Sequence, residues 1–160
     1  MLILNKMTLL YVPDEDRICM TAQPDGSRPI LFWLTQRLCR QLVPVLCSHL
    51  ERATPKRSVI SRDMQLSVSQ REAEWKYESS EPVRTDGPMP TFLPSRIDYN
   101  FSGEVTGLMF PVGQDERAQF SMNLQELRQF LAILHNLFVQ SGWAVDVWPS
   151  WFTDGHRRQN

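Results

Sequence analysis

Short runs with a period of two give way, twice, to a stripe with a helical period. In Arg17–Ala22, Ile18, Met20 and Ala22 share one face of a strand. Thr8–Val12 before it is short, apolar and rich in strand formers, and Ile30–Leu34 after it reads as a third strand. The turns between them are written as "PDED" (Pro13 to Asp16) and "QPDGS" (Gln23 to Ser27). Proline presets the backbone in the first, and Asp-Gly supplies a positive φ in the second. Thr35 is placed to cap a helix whose Leu38, Cys39, Leu42, Val45, Leu46 and Leu50 form one stripe. Pro44 predicts a kink in that helix, or a break at Val43.

The second half repeats the plan. Strands are expected over Arg96–Phe101, Glu104–Phe110 and Arg117–Met122, the middle one weakened by Gly107. Asn123 then caps a helix with Glu126 at its third position, an N-x-x-E capping box. Leu124, Leu127, Phe130, Leu131, Leu134, Leu137 and Phe138 give it a wide apolar face, and Gly142 ends it, with Trp143 folding back. "WAVDVW" (Trp143 to Trp148) alternates again and predicts a final strand, followed by a loose tail over 153–160. Between the halves, 53–94 reads as a connector. A candidate helix over 63–78 turns Met64, Val68 and Trp75 inward, a pattern into which Leu66 fits poorly.

The expected fold class is therefore α+β. Two pseudo-repeated βββα units (antiparallel meander plus helix), over 1–52 and 95–152, pack with an internal two-fold, and a C-terminal strand follows. An offset of 88 pairs Thr35 with Asn123, Arg40 with Arg128, Gln41 with Gln129 and Leu46 with Leu134. The shared strand–cap–helix order argues for duplication more strongly than those identities do. Two ordinary β-to-α junctions are the alternative.

The stretch "FWLTQRL", Phe32 to Leu38, carries a family resemblance. It resembles an uncharacterised family of small proteobacterial proteins, in which an aromatic-Trp-Leu-Thr-x-Arg segment opens a helix containing a proline. The likeness in layout extends over most of the chain, to the helix opened by Asn123 and to the closing tryptophan. It implies no activity, cofactor or partner.

Charge and composition narrow the function classes. The net charge is −1 and the pI near 6.3, which disfavours a nucleic-acid-coating protein without excluding a local patch. Three cysteines without a CxxC read as reduced, buried thiols. No apolar run is long enough to span a membrane, and "MLILNKMTLLYV" lacks the flanks of a signal peptide. A cytoplasmic protein is expected, starting at Met1 or at Met7. No phosphate loop, GxSxG or HExxH occurs, so no catalytic, metal or cofactor residue is assigned. His49 and Cys47 lie about 200° apart on a helix and would not share a metal. Clustered acids at Asp14–Asp16 read as solvated turn carboxylates.

The aromatics stand out. Five tryptophans include three within nine residues, at 143, 148 and 151, and "VWPSWF" (Val147 to Phe152) is too apolar for a free tail. It either packs on its own domain or docks on a partner. Trp148, Trp151 and Phe152 are thus candidate partner-binding residues, with Arg40 and Arg128 at matching places on the two helices. The leading expectation is a non-enzymatic interaction, adaptor or assembly protein with a protein partner or self-association. One alternative is a single-stranded nucleic-acid binder using Lys56, Arg57, Arg62, Arg117, Arg157 and Arg158. Another is an enzyme whose site is scattered through the sequence.

Overall fold

The computed structural model describes residues 1–55 and 58–157. It is an α+β fold, and the described strands form one seven-stranded sheet. β1 (Leu2–Val12), β2 (Arg17–Pro24) and β3 (Ile30–Leu34) make an antiparallel meander, followed by α1 (Gln36–Ala53). α2 (Val59–Trp75) and the short β4 (Thr91–Phe92) come next. β5 (Asp98–Ser102), β6 (Val105–Pro111) and β7 (Arg117–Met122) make a second meander, followed by α3 (Leu124–Ser141) and α4 (Ser150–Arg157). The strand order is β4-β3-β2-β1-β7-β6-β5.

Local chemistry sets most boundaries as expected. Asp16 takes the left-handed conformation that closes the first turn, with φ of 49°. Thr35 accepts a hydrogen bond from the Leu38 amide, and α1 runs unbroken past Pro44. Asn123 and Glu126 form both arms of the capping box at 2.8 Å each. Gly142 caps α3 in the left-handed region at φ of 75°, and the Trp143 amide returns to the Phe138 carbonyl.

The seam between the meanders is the parallel pairing of β1 with β7, Leu2 opposite Ala118 and Leu4 opposite Phe120. It joins the first strand of one meander to the third of the other. A two-fold axis at the seam would instead bring like strands together, antiparallel. The expected internal two-fold is therefore corrected: the meanders follow one another head to tail within one sheet.

One face of that sheet forms the core. Leu4, Met20, Phe32, Leu108, Phe110 and Met122 pack with the buried sides of α1 and α3. Part of the opposite face is crossed by the connector, where the Val83 amide donates to the Thr8 hydroxyl and Val83 is itself buried.

The expected C-terminal strand is also corrected. Trp143–Pro149 forms no strand, and Ser150–Arg157 is helical. The Arg40 guanidinium holds this segment bent, bonding both carboxylate oxygens of Asp146 (2.8 and 2.9 Å) and the Ala144 carbonyl (3.1 Å). The Trp148 amide turns back to the Val145 carbonyl. Pro149 then starts α4 by accepting from the Phe152 and Thr153 amides.

Candidate interaction surface

Four of the five candidate partner-binding residues are engaged by side-chain contacts within the molecule. Trp148, Trp151 and Phe152 are buried, so the alternative in which they pack on their own domain is the arrangement found. Trp148 and Phe152 pack at a tilt with ring centroids 4.7 Å apart, and Trp148 meets Phe138 edge-on. His135 packs edge-on against Trp148, at 4.9 Å. The Trp151 indole donates to Glu51 at 3.0 Å and ties α4 to α1. Arg40 is committed to Asp146, a pairing that raises the guanidinium pKa and lowers that of the carboxylate. Arg128 is half-buried, and burial pulls its pKa down against the opposing pull of Glu104 and Glu72.

His49, His135, Cys39 and Cys47 are packed as well. His49 stacks on Phe101 at 4.3 Å, and burial, then Arg52, lowers its pKa. Cys39 and Cys47 are buried, and burial pushes both thiols up to about 12. Among the described residues no group of three or more His, Cys, Asp or Glu gathers as metal ligands would. No helix among them is long and apolar enough to cross a membrane. Of the expected basic patch, Lys56, Arg57 and Arg158 lie outside the described residues. Arg62 sits 3.6 Å from Asp63, and Arg117 3.2 Å from Asp98.

A line of exposed apolar side chains lies on α2. Ser58 caps this helix by accepting from the Ser61 amide. Its inner side is Leu66 (0% exposed), Ala73 (4%) and Gln70 (1%). Two reciprocal bonds seat it on α3: the Gln70 amide donates to the Arg128 carbonyl and the Gln129 amide to the Ala73 carbonyl, each at 2.9 Å. The sequence reading of this helix is reversed, because Met64 (65% exposed), Val68 (51%) and Trp75 (90%) point outward, together with Ile60 (77%). At 100° per residue those four, with Arg71, fall within an arc of about 80°. The helix thus has two apolar sides, one used and one open.

Beside the open side runs a groove of about 390 Å³ between α2 and α4. Ile60, Met64 and Val68 line it with Trp151, and Asp63, Arg71 and Asp154 supply its charges. The Arg71 guanidinium reaches its own Ser67 hydroxyl at 3.1 Å, while its Nε and the Oδ1 of Asp63 take no hydrogen bond among the described residues. A second groove, about 430 Å³, opens where β1 parts from β7, with Met7, Leu9, Phe120, Phe130 and Ile133 in its walls.

Sequence reasoning missed this surface for a specific reason. Ile60 sits in a stretch that reads as polar and basic, and Leu66 breaks any single stripe. Placing the cap at Ser58 would have revealed the outer arc, since Ile60, Met64, Val68 and Trp75 fall together from that origin. None of the protein-family models, curated proteins or solved structures compared with this chain matches it.

Proposed function

We propose that this protein is a non-enzymatic interaction or assembly subunit, and that α2 is its contact surface. One observation carries the reading: four large apolar side chains, half-exposed or more, are aligned on one side of a helix whose other side is seated in the fold. Scattered exposed apolar residues are ordinary, whereas an aligned set beside a groove is the form taken by helix-mediated contacts. The buried C-terminal aromatics support this surface from below, because Trp151 forms part of the groove wall. The nucleic-acid alternative draws less support, since Arg62 and Arg117 each lie close to a carboxylate. We also infer that the two meander-plus-helix units arose by duplication, on the strength of their common element order and their caps at Thr35 and Asn123.

The test is the size of the protein's assembly in extract of the cells that make it. The wild type is compared with a variant carrying Ile60→Gln, Met64→Gln and Val68→Gln. The wild type is expected to migrate above the monomer and the variant at the monomer, with unchanged circular dichroism. Monomeric migration of both, or an assembly that survives the triple change, overturns the reading.

A further inference from the structure

We infer that the occupant of the open side of α2 is a second copy of this chain, its own α2 lying antiparallel across a two-fold axis level with Ser67 and Val68. This rests on the reading of α2 as a contact surface and adds the identity of what covers it.

The pattern on α2 is self-complementary. The apolar arc runs from Ile60 to Trp75, so its midpoint falls between residues 67 and 68. The charges of the groove on the same helix are Asp63 towards one end and Arg71 towards the other, with their midpoint at Ser67. A single axis at that level therefore sets Ile60 against Trp75 of the other copy and Asp63 against Arg71 of the other copy. Each pairing occurs twice, as an isologous interface requires.

The flanks agree as well. An antiparallel two-fold pair keeps the same flank of each helix adjacent. Asp63 and Arg71 lie on the same side of the arc's midline, whereas Glu72 lies on the other side. The second copy thus meets Asp63 with a guanidinium, and Glu72 faces the uncharged Ser61 and Gln65. A foreign partner has no reason to share the symmetry of this one helix.

The test is the mass of the purified full chain in solution, by light scattering and sedimentation, with charge-swapped variants. The wild type is expected to be a dimer. Asp63→Arg and Arg71→Asp are each expected to weaken dimerisation by about tenfold or more, because each sets like charges face to face. The double variant carrying both changes is expected to dimerise again, an outcome that a merely structural role of either residue does not give. Met64→Glu, at an exposed position, is expected to yield a folded monomer. A wild type that stays monomeric up to about 100 μM overturns the inference, as does a dimer that the single swaps leave intact or that the double swap fails to restore. If the pure chain is monomeric but its larger assembly in extract is lost in the triple glutamine variant, self-association falls and the contact surface stands. If neither assembly is seen, both fall.

Discussion

Replacing Leu66 by alanine should destabilise the fold far more than replacing Met64, two residues away on the same helix. Leu66 has no exposed surface, and its side chain belongs to the main core. Truncating a buried leucine costs about 2–5 kcal/mol, the lost transfer free energy plus that of the residual cavity. In a chain of this size 1 kcal/mol shifts the melting temperature by about 2–4 °C, so a fall of roughly 4–20 °C is expected. Met64 is 65% exposed, and Met64→Ala removes little that the fold has buried. Its effect should stay within about 0.5 kcal/mol. Helix propensity does not reverse the order, since alanine is at least as good a helix former as either residue. The assay is thermal and urea unfolding of both variants, at a concentration low enough that only monomer is present. Equal losses, or a larger loss for Met64→Ala, would refute the assigned orientation of α2 and every argument about its outer side.

Acid should weaken the fold in two stages. His49 has its pKa lowered by burial and then by Arg52, so its contribution is complete above the ordinary histidine value and declines as pH falls through it. His49→Gln should flatten urea-midpoint profiles between about pH 7 and 5. Asp146 and Asp16 have lowered pKa values, through hydrogen bonds from Arg40 to the first and from Tyr11 and Trp143 to the second. Their contributions are present above the ordinary aspartate value and disappear as pH falls below it, so Asp146→Asn should flatten the profile only at that acid end. A thiol-reactive disulfide reagent at pH 8 should leave Cys39 and Cys47 untouched in the folded protein and react slowly with the half-buried Cys19; all three should react in denaturant. Prompt reaction at Cys39 would mean that the inner side of α1 is not packed as described.

The legible features were those in which a side chain acts on its own neighbourhood. Thr35, Asn123, Glu126 and Gly142 bond the backbone within a few residues, so their types and spacing announce the helix ends. The meanders were legible because period-two alternation and turn residues are local too. The seam was not, since nothing in Leu2–Leu4 names Ala118–Phe120 as its neighbour. The "WAVDVW" segment alternates like a strand, yet Arg40, more than one hundred residues earlier in the chain, holds it bent. At the contact surface the obstacle was different. α2 writes two apolar patterns on one helix, and a reading that seeks one inward stripe assigns the wrong one.

The seam also sets a clock. Leu2 is synthesised more than one hundred residues before its partner Ala118. At about 5–20 residues per second, the free edge of β1 waits roughly 6–23 s for β7 to be synthesised. During that interval β2 and β3 are already available to cover the other edge, so the nascent chain holds a half-finished sheet with one open side. Closing a loop of that length adds little to the entropy cost compared with shorter loops, but it places sheet completion late and makes folding slow for a chain of this size. An open edge is also a template for neighbouring chains. Crowded synthesis should therefore favour misassembly between nascent copies, and slowing production should raise the yield of folded protein.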